Sequence, residues 1–87
     1  MFKIFLSTKS RRQIKRANEN LKERIRGAIL EIAEDPWHKG TIKVQGFENI
    51  RRKRVGKYRI LYIVDKQREE VLIVKIEKRS ETTYRVK

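Results

Sequence analysis

Hydrophobic positions along the chain change period from one segment to the next, and each period predicts an element. In Met1–Leu6, Phe2, Ile4 and Leu6 alternate with Lys3 and Phe5, as in a strand with one buried face. Ser7 suits a helix N-cap, and Thr8–Ala17 reads as a short, very basic helix with few apolar positions, Ile14 and Ala17. Asn18, Glu19 and Asn20 mark a turn. Leu21, Ile25, Ala28, Ile29 and Ile32 then form an apolar stripe at helical spacing, ending near Glu34. The nearly unbroken spacing of 14, 17, 21, 25, 28 and 32 also fits one continuous helix. Gly27 within the stripe is expected to allow close helix packing, and Asp35-Pro36 stops the helix, because a residue before proline leaves the helical region.

The second half changes to period two. Trp37 to Gly46 is a connector in which Trp37 is expected to cover the core edge, and Thr41–Val44 is a short strand or an extended lead-in. Ile50–Val55, Tyr58–Val64 and Val71–Ile76 read as three strands. A tight turn at Gly56 joins the first two, and the charged Asp65–Glu70 connection joins the last two. In the middle strand Tyr58, Ile60, Tyr62 and Val64 share one face, with Arg59, Leu61 and Ile63 on the other. An arginine on an otherwise apolar face needs a partner or a ligand; Glu48, Glu77 and Glu81 are the candidate partners. In the last strand the same alternation puts Val71, Ile73, Lys75 and Glu77 on one face. Strand, helical hairpin, then a three-stranded antiparallel meander predicts an α+β domain with helices on one face of the sheet.

At 87 residues the chain makes one domain with a modest core. Its 24 lysines and arginines against 11 acidic residues leave a net charge of +13, which implies an anionic partner, nucleic acid first. The cations concentrate in Asn49–Val64, where Arg51, Arg52, Lys53, Arg54, Lys57 and Arg59 crowd a strand and its turn, aimed outward from a rigid sheet that suits RNA. Arg11 and Arg12 add a second basic segment. Without cysteine there is no disulfide or thiolate metal site. The apolar N-terminal run is too short for a signal peptide, and no segment approaches a membrane span, so a cytoplasmic protein without a membrane partner is expected.

No Ser/His/Asp set is recognisable around the one histidine, His38, and neither a glycine-rich phosphate loop nor a carboxylate metal cluster is present, so no cofactor is expected. Chemistry here rests on Arg, Lys and Tyr. RNA cleavage by the neighbouring 2′-hydroxyl can use such a set, since guanidinium forks match phosphate oxygens and a tyrosine donates a proton or stacks on a base.

The run Arg52-x-Arg54-Val55-Gly56-x-Tyr58-Arg59-x-x-Tyr62, followed by a hydrophobic strand, Lys78-Arg79 and Tyr84, resembles the RelE/ParE toxin superfamily over essentially the whole chain. The resemblance implies a toxin of a type II toxin–antitoxin pair, held by a RelB-like antitoxin. It also implies a RelE-like, ribosome-dependent endoribonuclease that cuts mRNA in the decoding site without a metal. Arg59 and Arg79 then match the family's phosphate-stabilising arginines, and Tyr84 stands one residue nearer than its C-terminal tyrosine. Arg52 falls where RelE-like members carry a catalytic lysine, and Ile50 where some carry a second. Lys53 points to the opposite strand face. Arg51, Lys53, Arg54, Lys57, Lys78, Arg11 and Arg12 are the expected contacts to RNA or ribosome. A free toxin is expected to be a monomer, and an oligomer with its antitoxin. The alternatives are a ParE-like toxin that acts on DNA gyrase, or an inert RNA-binding relative.

Overall fold

A computed structural model describes residues 1–47 and 49–78. The elements follow as β1 (Lys3–Leu6), α1 (Thr8–Arg16), α2 (Glu19–Glu34), β2 (Thr41–Lys43), β3 (Ile50–Val55), β4 (Tyr58–Asp65) and β5 (Glu70–Lys78). The strands form one sheet in the order β1-β5-β4-β3-β2. The meander β3-β4-β5 is antiparallel, as predicted. The structure adds two edges: β2 pairs antiparallel with β3, and β1 returns beside β5 in parallel.

The helices are two. Ser7 caps α1 by accepting from the Ser10 N–H, and Asn18 caps α2 by accepting from the Leu21 N–H. Ala17 between them is extended, so local capping breaks the continuous apolar spacing. Ile25, Ala28 and Ile32 of α2 lie on the sheet against Val55, Ile60, Tyr62, Val71, Ile73 and Ile76. Gly27 makes no close approach; it lies exposed, with open space where a Cβ would be. At the end of α2, Pro36 is buried, and the Tyr62 hydroxyl donates to its carbonyl at 2.6 Å. Burial pushes the Tyr62 phenol above its ordinary pKa. Tyr62→Phe leaves that buried carbonyl without its donor and is expected to cost about 1–3 kcal/mol, read as a lower urea midpoint at unchanged slope. Trp37 meets Phe2 edge to face, with ring centroids 5.6 Å apart, at the rim of the core.

α1 docks by an unusual route, which explains its few apolar residues. Strand β1 stops at Leu6, so beyond Ile73 no strand pairs with that side of β5. Buried Ser10 donates to the Ile73 carbonyl at 3.1 Å, and the Ser7 hydroxyl donates to that of Val74 at 2.6 Å. Gln13 meets Ile76 with its amide in both directions, as a strand neighbour would. Polar side chains of a helix thus complete the ladder at an exposed sheet edge.

One predicted face assignment is corrected. Leu61 pairs with Lys75, but Tyr62 pairs with Ile73, so Val74 is the extra residue of a β-bulge. The bulge resets the alternation in β5. Val71, Ile73 and then Ile76 point to the helices, while Lys75 and Glu77 turn to the opposite face.

Candidate functional site

The helices cover one face of the sheet and leave the other open. Cross-strand register orders the open face into rows. The first holds Arg54, Arg59 and Glu77; the second Ile42, Arg52, Leu61 and Lys75. The third holds Ile50, Ile63, Leu72 and Phe5, so an apolar band follows the charged end. Phe5, Leu72 and Ile42 are all exposed.

Arg59 is the centre of the charged end. Its Nε donates to Glu77 Oε2 at 2.9 Å, and both side chains are about a third exposed, at 31% and 32%. Glu77 Oε1 lies 3.3 Å from Lys75 Nζ. Arg54 stands directly opposite Arg59. Like charges so placed repel, and Glu77 on the other flank offsets part of that repulsion. Arg59 and Lys75 therefore meet one carboxylate, and Arg54 and Arg52 stand on the same helix-free face. Among the described residues, no three His, Cys, Asp or Glu residues are placed to hold a metal ion.

Several expected contacts lie elsewhere. Arg51 and Lys53 fall on the helix side of β3, because adjacent residues of a strand point to opposite faces. Arg51 Nη2 donates to Thr41 Oγ1 at 2.9 Å. The Lys53 side chain is only 12% exposed, and its ammonium lies 2.8 Å from Glu31 and 2.9 Å from His38 Nε2. Its hydrogen bond holds the Glu31 carboxyl below its ordinary range. His38 is thus not a free loop histidine: its Nδ1 also lies 2.7 Å from the Asp35 carbonyl. Both cations are spent on structure, which corrects their assignment to the open cationic surface. Lys78 is exposed but pairs with Tyr58, in register with the helix side. Arg11 and Arg12 are exposed on α1, a separate element from the strands that carry the cluster. Arg79 and Tyr84 lie outside the described residues. Lys75 and Glu77 are the members that alternation alone misplaced; no local signal marks the bulge that brings them in.

The turn beside the cluster depends on glycine. Gly56 and Lys57 join paired Val55 and Tyr58, with Gly56 at φ +60°, the left-handed region that the first loop position of a II′ hairpin requires. The Arg24 guanidinium lies over it, 3.1 Å from where a Cβ would stand. Gly56→Ala is expected to destabilise the fold by roughly 1–2 kcal/mol, mainly through the backbone, since the Arg24 tip can move aside. Thermal melting of the variant checks this.

The family model for the ParE toxin of the type II toxin–antitoxin system parDE matches residues 3–83. The chain belongs to the RelE/ParE toxin superfamily. No curated protein matches its sequence, but solved structures match its fold closely. The isolated RelE toxin of E. coli superposes with a TM-score of 0.81 at 17% identity, over 98% of this chain and 94% of that one. RelE in the archaeal RelE–RelB complex from Pyrococcus horikoshii OT3 also gives 0.81, at 18% identity, over 92% and 97%. A YoeB/ParE toxin from Agrobacterium tumefaciens gives 0.78 at 15% identity, over 88% and 98%. As a RelE/ParE toxin, the chain carries Arg52, Arg54, Arg59 and Lys75 on the open side of its sheet. No helix among its described residues is long and apolar enough to cross a membrane.

Proposed function

We propose that this toxin is a ribosome-dependent mRNA endoribonuclease that acts in the cytoplasm and is neutralised by a RelB-like antitoxin. The observation that carries the reading is the placement of Arg52, Arg54, Arg59 and Lys75 together on one helix-free sheet face. A trigonal-bipyramidal phosphate gains negative charge as the 2′-oxygen attacks, and pre-placed guanidinium groups stabilise that charge without reorganising. Arg59, Arg79 and Arg52 take this role; Tyr84 serves as proton donor or as a stacking surface for the mRNA. Arg54 and Lys57 hold the backbone of substrate or ribosomal RNA. The antitoxin reading is supported by the RelE–RelB complex among the fold's relatives.

A second reading has its own support. The matching family model is that of ParE, and the RelE-type lysines are replaced by Arg52 and Ile50. A ParE-like toxin would act on DNA gyrase and cut no RNA. Primer extension on mRNA held in a translating ribosome separates the two. Cuts at the decoding site that vanish in an Arg59→Ala, Arg79→Ala double variant support the nuclease. Intact mRNA together with loss of supercoiling by purified gyrase supports the alternative.

A further inference from the structure

Cleavage by a 2′-hydroxyl needs a group to take its proton, and the cations of the open face serve poorly. Guanidinium groups such as those of Arg52, Arg54 and Arg59 stay protonated and have no acceptor. Ile50, in the third row, has no proton chemistry at all. An ammonium such as that of Lys75 likewise only donates, and its Nζ faces Glu77. Among the described residues, the carboxylate of Glu77 is the one proton acceptor in the two rows that carry the cations.

We propose that Glu77 is the general base of this toxin, an assignment that rests on the endoribonuclease reading above. Its two oxygens are held in place, Oε2 by Arg59 Nε at 2.9 Å and Oε1 by Lys75 Nζ at 3.3 Å. Among the described residues, that arrangement engages only the Nε of Arg59, and its two terminal nitrogens have donors to offer phosphate oxygens. A phosphate seated there lies beside the carboxylate rather than in its place. Attack distance of about 3–3.5 Å and hydrogen-bond reach of about 2.6–3.2 Å together leave room for a 2′-oxygen between phosphorus and Glu77. One arginine then binds the reacting group and aims the base.

The step balances without a further reactant. A Glu77 oxygen takes the 2′-hydroxyl proton, and the 2′-oxygen bonds to the adjacent phosphorus. The bond from phosphorus to the 5′-oxygen breaks; that oxygen leaves with the electron pair and takes a proton from water. The products are a 2′,3′-cyclic phosphate upstream and a 5′-hydroxyl downstream, and the Glu77 proton returns to solvent. Carboxylates are established general bases.

Single-turnover cutting of ribosome-bound mRNA tests the role. Glu77→Gln still accepts the Arg59 hydrogen bond but takes no proton. Its cutting rate is expected to fall by about 10²–10⁴-fold, with ribosome binding and melting temperature near wild type. In Glu77→Gly, added formate is expected to restore part of the lost rate by supplying a carboxylate in the vacated space. A Glu77→Gln protein that cuts as fast as wild type overturns the proposal, and so does a Glu77→Gly protein that cuts faster without formate, since Glu77 would then only be blocking Arg59. In both cases the wild type still cuts, so the nuclease reading survives. A wild type that leaves ribosome-bound mRNA intact removes both.

Discussion

Arg59→Ala is expected to lower the proposed decoding-site cleavage by about 10²–10³-fold, the usual loss when one pre-placed donor to a developing oxyanion is removed. The cost to the fold is expected to be far smaller. Arg59 and Glu77 are each about a third exposed, and exposed ion pairs contribute about 0–1 kcal/mol. Their loss also relieves the repulsion between Arg59 and Arg54 across the strand pair. Activity and stability should therefore separate, with a melting curve close to wild type and a primer-extension signal nearly gone. Arg59→Lys should recover only a fraction, because an ammonium keeps the charge but lacks the fork that spans two phosphate oxygens and the Nε that holds Glu77. A variant that cuts normally would remove Arg59 from the reaction and reduce its pair with Glu77 to a surface contact.

The largest effect on stability is expected from Ile60→Ala. Ile60 is fully buried at the centre of β4, between Lys53 and Ile76 on the neighbouring strands and beneath α2. Truncation removes apolar area from the middle of a small core and leaves a cavity that paired strands on both sides cannot collapse to fill. Such substitutions cost about 2–5 kcal/mol, set against the roughly 5–15 kcal/mol that keeps a domain folded. A melting temperature lower by at least about 10 °C follows for a chain of this size. Calorimetry checks the value; a shift of a degree or two would mean that the sheet and α2 close around the gap.

The charged end of the open face was partly legible in the sequence. Period-two alternation separates Arg52, Arg54 and Arg59 from Arg51 and Lys53, and β3 and β4 obey it without interruption. The pairing of Arg59 with Glu77 was one of several the sequence allowed. The burial of Lys53 against Glu31 and His38 was not legible, because those partners sit 22 and 15 positions away in sequence and meet only once α2 lies on the sheet. Nor could the basic run itself show that two of its members would be spent on holding elements together.

The sequence by itself placed the helical residues of α1 and α2 and the three long strands, since hydrophobic period, caps and the Asp35-Pro36 stop are local signals, and left open whether the helices join. It also determined the strongly basic character and the alternation that exposes Arg59. Tertiary structure alone decided three things. β1 pairs in parallel with β5, a contact between the two ends of the described chain. Ser7, Ser10 and Gln13 dock α1 through backbone carbonyls rather than through an apolar stripe. The bulge at Val74 then turns Ile76 inward and Glu77 outward to Arg59. A bulge costs one unpaired residue and is set by what the neighbouring strand and helix can satisfy, so no local pattern in β5 announces it. The face on which Glu77 stands was thus decided by contacts with residues more than sixty positions earlier in the chain.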